Sequence, residues 1–292
     1  MFVTKAAVVG AGTMGGEIAQ TIAAAGFPVV LKDVEQRFVD QGLDKAHEVT
    51  RGQLGRQVQR GRMTEEQADE RAEAIVGAIH GTTEYEGFGD VDFVVEAVPE
   101  RIDLKRSVFG ELDEVTPGHA ILASNSSSLS TADMGHATSR PDKVVGFHYF
   151  YPASVMRLIE VIAGEGTTSE ETMAATANFA QSIRKQPIRC REVPGFVVNR
   201  VLLSAISEIW KVQDEEGIDP QEVDKIVSES GAAPMGPFYL TDLLGLDTVL
   251  NVAEHLKERY GERIHVSPKM KELVEAGDLG QKTGKGFYDH SG

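Results

Sequence analysis

The sequence of 292 residues has one cysteine, one tryptophan and no apolar run approaching the length of a membrane span. With Cys190 as the single thiol, an intrachain disulfide is excluded and the thiolate set of a structural zinc site is missing, so no metal is expected. Positive charge is scarce as well. The 29 Lys and Arg stand against 45 Asp and Glu, for a formal net charge of −16. Such a chain repels nucleic acid and anionic membrane surfaces, and neither is an expected partner. The opening MFVTKAAVVG carries one lysine and a short apolar stretch that runs straight into glycine, which reads as a first β-strand rather than a signal peptide. A cytoplasmic, reducing location is expected.

What is present fits a globular protein with a sizeable core, at 41% hydrophobic and 25% charged residues, and the length suits two domains. The basic residues are unevenly spread. Between positions 45 and 62, Lys45, Arg51, Arg56, Arg60 and Arg62 face Glu48 alone. This is either a solvated helix face or a surface for an anionic ligand.

Strand and helix patterns alternate through the first part of the chain. Ala6 to Val9 is an apolar run, Gly10 to Gly16 a glycine-rich turn, and Ile18, Ile22 and Ala25 carry helical spacing until Gly26. Pro28 to Leu31 is a second strand ending in Lys32-Asp33, which completes a βαβ unit. Leu43, Ala46, Leu54 and Val58 then predict a helix, with a turn at Gly61, and Thr64 followed by Gln67 forms a capping box that opens another. These make a charged helical hairpin inserted in the sheet domain. Strands resume at Val91–Val95, Ala120–Ala123 and Val144–Phe147, Arg157 to Ala163 extends the sheet, and Glu170 to Ile183 is helical. A boundary falls near Cys190–Pro194, giving domains 1–190 and 191–292. Beyond it Pro194-Gly195 opens a long helix through Trp210, Pro220 starts another, and Leu240 to Tyr260 holds more. The fold class is therefore α/β: a doubly wound, Rossmann-type sheet with an inserted hairpin, followed by an all-helical C-terminal domain.

Gly10-Ala11-Gly12-Thr13-Met14-Gly15 matches G-x-G-x-x-G after a strand and before a helix, with Asp33 ending the next strand. That context is the dinucleotide fingerprint: glycines for the tight turn and close phosphate approach, and a helix N-terminus for the pyrophosphate. Asp33 is placed to accept from the adenosine ribose and would repel a 2′-phosphate. NAD is the expected cofactor, although Lys32 and Arg37 lie close in sequence. His148, among Phe147, Tyr149 and Phe150, is by itself either a packed residue or a catalyst. It ends a strand next to the one that leads into Ser124-Asn125-Ser126-Ser127-Ser128, at the carboxyl edge where ligands of such sheets bind.

Taken together, GAGTMG, VEAVPE with Lys105 downstream, SNSSSLS, GFHYFYPASVMRLIEVI, PGFVVNR, PMGPFYLTDLLGLD and GQKTGKGFYD closely resemble the 3-hydroxyacyl-CoA dehydrogenase family over essentially the whole length. The hairpin looks most like the dehydrogenase part of bacterial multifunctional fatty-acid oxidation proteins, and no hydratase domain is expected in this chain. The resemblance implies a catalytic His148 with Glu160 as its partner, Ser127 hydrogen-bonding the substrate oxygen, and Asn199 at the start of the helical domain. It implies cofactor contacts from Gly10, Gly12, Thr13, Met14, Gly15, Asp33, Asn125, Glu100 and Lys105, the last two near the nicotinamide ribose. It also implies coenzyme A against Arg51, Arg56 and Arg60, and a homodimer through the helical domain. The substrate pair would be 3-hydroxyacyl-CoA and 3-ketoacyl-CoA.

The roles are chemically coherent. Oxidation of a secondary alcohol needs a base near neutral pH, which an imidazole provides, with a carboxylate to fix its tautomer. One departure stands out. Where the family has Phe-Phe-Asn-Pro after the histidine, this chain has Tyr149-Phe150-Tyr151-Pro152. Tyr151 either turns away or alters the acyl pocket. Two other readings remain open: an NAD-binding module with little or no turnover, and a dehydrogenase of a free hydroxy acid.

Overall fold

The computed structural model describes residues 2–291. Four consecutive apolar residues, Ala6–Val9, form β1, and all four are buried, as a strand covered by helices on both faces requires. The chain continues through α1 (Thr13–Ala24), β2 (Val29–Lys32), α2 (Gln36–Gln59), α3 (Glu65–Gly77) and β3 (Ile79–Thr82). It goes on through β4 (Phe93–Glu96), α4 (Ile102–Val115), β5 (Ile121–Ser124), α5 (Thr131–Gly135), β6 (Val144–Tyr149), β7 (Leu158–Ala163), α6 (Glu170–Ser182) and β8 (Gln186–Arg191). The strands form one sheet in the order β3-β2-β1-β4-β5-β6-β7-β8. Every pairing is parallel except that of β6 with β7. The strand order reverses beside β1, where β4 lies on the side opposite β2, and the carboxyl ends of these strands flank the crevice used by ligands of doubly wound sheets.

Alternate residues of the central strands feed two cores. Ala6, Val8, Phe93, Val95, Ile121 and Phe147 pack toward α1 and α6, while Ala7, Val9, Val94 and Leu122 pack toward Phe109 and Leu112 of α4. Phe93 sits 5.2 Å from Phe147 and 4.5 Å from Phe179, ring centre to ring centre. Burying such a ring contributes about 1.5–3 kcal/mol, so this aromatic cluster anchors β4 and β6 behind the carboxyl edge.

The hairpin forms as the spacing predicts. The Thr64 hydroxyl accepts from the Gln67 N–H, and the Gln67 side chain accepts from the Thr64 N–H, which completes the capping box of α3. Two edge elements escape the sequence reading, β3 and β8. The long helix after the boundary also begins later than Pro194-Gly195. Gly195 (φ +74°) and Phe196 (φ +44°) are left-handed, so the chain turns there, and α7 starts at Val198.

Two compact units divide after Glu192; Arg191, which composition puts past the boundary, ends β8. The second unit contains α7 (Val198–Glu216), α8 (Pro220–Glu229), α9 (Pro237–Leu244), α10 (Leu246–Tyr260) and α11 (Pro268–Glu275). Its core gathers Trp210, Phe238, Leu246, Leu256 and Met270. Two buried carboxylates tie its end in place. Asp224 accepts from the N–H of Phe238 and Tyr239 and from the Tyr288 hydroxyl. Asp242 accepts from the N–H of Phe287 and Tyr288 and pairs with His290 at 2.8 Å. No helix among the described residues is long and apolar enough to cross a membrane.

Candidate active site

The glycine turn brings α1 to the carboxyl end of β1 with its N-terminus uncapped by any side chain and free of acidic residues in its first turn. A Cβ on Gly15 would lie 1.7 Å from the Gly10 carbonyl oxygen, which is why helix and strand can approach only with glycine there. A Cβ on Gly12 would meet no protein atom within 4 Å. The open face above Gly12 and the unpaired N–H groups of the first helical turn fit a pyrophosphate. Thr13 and Met14 form that turn. Asp33, just past β2, accepts from the Ala11 N–H and its neighbour's, Val34, both at 2.7 Å, and so holds the turn to the sheet. A carboxylate has further lone pairs for ribose hydroxyls. The two nearby cations are committed elsewhere: Lys32 lies buried over the Tyr85 ring at 4.4 Å, and Arg37 pairs with Glu35 at 3.0 Å. Asp33, beside the turn, would repel a 2′-phosphate.

A second network organises the loop after β5. Glu96, fully buried at the end of β4, accepts from Lys105 Nζ at 2.7 Å, from Ser124 Oγ at 2.7 Å and from the Val98 N–H at 2.7 Å. Lys105 is buried too, and its ammonium reaches Glu100 at 3.4 Å. Glu100 Oε1 accepts from the Ser126 hydroxyl, from the N–H groups of Ser127 and Ser128 at 3.1 and 3.3 Å, and from the Ser128 hydroxyl at 3.2 Å. Lys105 therefore acts through Glu100, and Glu100 fixes the backbone that carries Ser127. Among the described residues no partner takes Ser127 Oγ, so the hydroxyl is at hand for a ligand. The Asn125 amide oxygen accepts from the Tyr149 N–H at 2.9 Å and ties this loop to the end of β6. Replacing Glu100 with Ala removes four hydrogen bonds from the serine loop. Given about 1.5–3 kcal/mol for hydrogen bonds to a charged group, kcat/KM for a 3-hydroxyacyl thioester, the substrate that the family resemblance implies, should fall about ten- to a hundredfold. Steady-state kinetics check this, and an unchanged kcat/KM would count against a positioning role.

His148 and Glu160 stand opposite one another in the antiparallel β6–β7 pair. The imidazole Nδ1 lies 2.8 Å from Glu160 Oε2, with His148 only 6% exposed and Glu160 fully buried. A carboxylate can only accept, so Nδ1 carries the hydrogen and the lone pair of the neutral ring is on Nε2. The Phe150 ring packs edge-on at 4.6 Å from the imidazole. Tyr151, next along the chain, is half exposed. The loop beyond it is clamped from below: Glu17 of α1 accepts from Ser154 N–H and hydroxyl at 3.0 Å each, and Lys185 donates to the carbonyls of Ala153 and Met156. Burial pushes the Lys185 ammonium down to about 8, with Glu17 acting in the opposite direction.

Arg51, on α2, is bonded to Asp69 of α3 at 3.1 Å and lines a cleft of about 360 Å³ between the two helices with Leu54, Val58, Ala68 and Ala72. Arg56 and Arg60 are exposed, and among the described residues no carboxylate pairs with either. Asn199 falls in the first turn of α7, in the second unit. No cluster of three metal-binding side chains occurs among the described residues.

Residues 5–193 match the NAD-binding domain of 3-hydroxyacyl-CoA dehydrogenases, and residues 195–290 match their C-terminal domain. The chain belongs to the 3-hydroxyacyl-CoA dehydrogenase family. It is an NAD-dependent oxidoreductase of that family. It is 38% identical over 287 residues to a probable 3-hydroxybutyryl-CoA dehydrogenase of Deinococcus radiodurans, covering 98% of this chain and 100% of the relative. It is 40% identical to the fatty acid oxidation complex subunit alpha of Pseudomonas savastanoi over 98% of its own length but only 38% of that subunit's. Among solved structures, (S)-3-hydroxybutyryl-CoA dehydrogenase PaaH1 from Ralstonia eutropha superposes with a TM-score of 0.90 at 35% identity, covering 100% of both chains.

Sequence reasoning missed Glu96, although the family motif VEAVPE contains it. Its one visible signal is an acid closing an otherwise apolar strand, with a lysine nine residues on, early in the next helix. It also gave Cys190 no role, and the structure sets that thiol against Glu160.

Proposed function

We propose that this member of the family interconverts 3-hydroxyacyl-CoA and 3-ketoacyl-CoA thioesters through His148, Glu160 and Ser127, with four-carbon acyl groups among its substrates. The observation that carries the assignment of roles is the buried His148–Glu160 pair at 2.8 Å at the end of a strand three places from the glycine turn's own. NAD held over the Gly10–Gly15 turn and beside Asp33 would supply the hydride acceptor for the carbinol carbon. His148 Nε2 takes the hydroxyl proton, and Glu160 holds the ring and offsets the charge of the imidazolium. In the reverse direction the imidazolium returns the proton, and the Ser127 hydroxyl donates to the keto oxygen where negative charge develops. For Asn199, as a second donor, the assignment rests on the family pattern. Relatives named for 3-hydroxybutyryl-CoA support the short acyl group.

The unpaired Arg56 and Arg60 on an otherwise acidic protein support coenzyme A along the hairpin. The exposed apolar residues Val201, Leu202, Val212, Ile226, Leu243 and Leu244 of the second unit support a homodimer through that unit. One buried, unbridged thiol supports a cytoplasmic location. The thioester is tested by comparing NADH-dependent reduction of acetoacetyl-CoA with that of free acetoacetate. The thioester should be turned over at least about a hundredfold better in kcat/KM, since about 2.7 kcal/mol of remote binding is a modest demand on a nucleotide handle. Equal values would favour a free hydroxy acid as substrate.

A further inference from the structure

The strand of His148 is joined to the strand of Glu160 by residues 150–157, which form neither helix nor strand. The main-chain groups of such a loop need partners, and here buried side chains of other elements supply several of them. Lys185, just ahead of β8, donates from one ammonium to the carbonyl of Ala153 and, at 2.7 Å, to that of Met156. Glu17 of α1 accepts from the Ser154 N–H and hydroxyl, and Gln53 of α2 donates to the Ser154 carbonyl at 3.2 Å. Within the loop, the N–H groups of Val155 and Met156 close on the Pro152 carbonyl at 3.0 and 2.9 Å. Lys185 thus ties together two positions of the loop three residues apart. Its ammonium also lies 5.6 Å from the centre of the Tyr149 ring, at the end of the His148 strand. Lys185 and Glu17 are both buried, at 7% and 2% exposure. For stability alone, an apolar side chain serves as well or better at such a site, because a buried charge carries a desolvation cost.

The geometry points to Lys185 as a positioning residue for the proposed reaction: it fixes the loop between the His148 and Glu160 strands and, with it, the Phe150 ring against the imidazole. The inference rests on the roles given above to His148 and Glu160. Around the ammonium, the charged and titratable groups are Glu17 from α1, Tyr149 from β6, and the exposed Arg157 and Arg184. These two arginines line, with Lys185, a cavity of about 150 Å³. Lys45 of α2 shares the field of Glu17 and pairs with Glu48 at 3.1 Å. Burial lowers the Lys185 ammonium to about 8, against the pull of Glu17. Above that pH the amine is neutral in the folded protein. Its bonds to the two carbonyls lose their charge assistance, and the buried Glu17 loses a counter-charge. The loop then loosens, and turnover falls.

The test is kcat for oxidation of 3-hydroxybutyryl-CoA by NAD, at saturating substrates, across pH in wild type, Lys185→Met and Glu17→Gln. The wild-type profile should be bell-shaped, with an acid limb from His148 and an alkaline limb from Lys185. Lys185→Met should lose about tenfold in kcat at neutral pH, keep the acid limb and lack the alkaline one, with calorimetric NAD affinity within about twofold of wild type. In Glu17→Gln the carboxylate that favours the ammonium is gone, so the alkaline limb should move down by about half a pH unit. Wild-type kcat in Lys185→Met, or an alkaline limb at the same pH as wild type, overturns the inference. Should Lys185→Met not fold, as judged by loss of NAD binding, an alkaline limb unmoved in Glu17→Gln overturns it equally. Hydrogen exchange read by mass spectrometry should quicken about tenfold across residues 150–157 in Lys185→Met, and unchanged exchange would remove the clamp. A wild type inert toward thioesters would overturn the proposed function, and the exchange would still decide whether Lys185 holds the loop.

Discussion

His148→Ala should lose about 10²–10⁴-fold in kcat for 3-hydroxyacyl-CoA oxidation while binding NAD as tightly as wild type, because a positioned acid–base group contributes that much and touches the reaction only through its proton. The structure explains why the loss should not be masked by a substitute base. Glu160 is fully buried behind the ring, and a second base at the strand end would have to reach the position that Phe150 borders. The substitution also takes one hydrogen bond from a buried carboxylate, so thermal stability should drop along with activity. The discriminating readout is therefore kcat at saturating substrate alongside calorimetric NAD affinity. Near wild-type turnover with unchanged NAD binding would remove His148 from the chemistry.

The glycine turn offers the second large effect, and two of its glycines should fail differently. Gly15→Ala forces a Cβ to within 1.7 Å of the Gly10 carbonyl oxygen, so strand and helix must separate. Overpacking of this kind costs about 1–3 kcal/mol, and both the melting temperature and the NAD affinity should fall, the latter about ten- to a hundredfold. Gly12→Ala adds a methyl group where no protein atom lies within 4 Å. It should leave the melting temperature alone and still weaken NAD binding, because the space it occupies is where the pyrophosphate approaches the backbone. Equal NAD affinity in Gly12→Ala and wild type would mean that the cofactor does not lie over this turn.

How much of this was legible beforehand depends on whether the signal was local. The Thr64–Gln67 capping box, the helices around it and the glycine turn are set by neighbours a few residues apart, and they form as the spacing predicts. The edge strands were not legible for an opposite reason. Ile79–Thr82 has a single buried residue, and Gln186–Arg191 carries charge and Pro187, so only pairing with β2 and β7 makes them strands. The start of α7 was misplaced because Pro194-Gly195 looks like a helix opening, whereas left-handed Gly195 and Phe196 delay it to Val198.

Site residues divide in the same way. The chemistry of His148 and Asp33 follows from residue type and strand position. The pairing of His148 with Glu160, twelve residues away, needs an antiparallel turn-back that periodicity does not announce, and the family resemblance supplied it. The Glu96–Lys105–Glu100 chain and the Cys190 contact arise from burial across three or more elements, which no single-sequence pattern encodes. Tyr151 was open between two readings, and its half-exposed side chain fits both, because an acyl pocket is itself open to solvent.

The most direct test of the account is NADH oxidation by the purified chain with acetoacetyl-CoA, run in parallel with NADPH. Rapid turnover with NADH and little with NADPH is the predicted result, as expected for Asp33 at the ribose and the His148–Glu160 pair at the strand edge. Tight NAD binding with no turnover of any 3-ketoacyl thioester would contradict it and leave the fold as a cofactor-binding module.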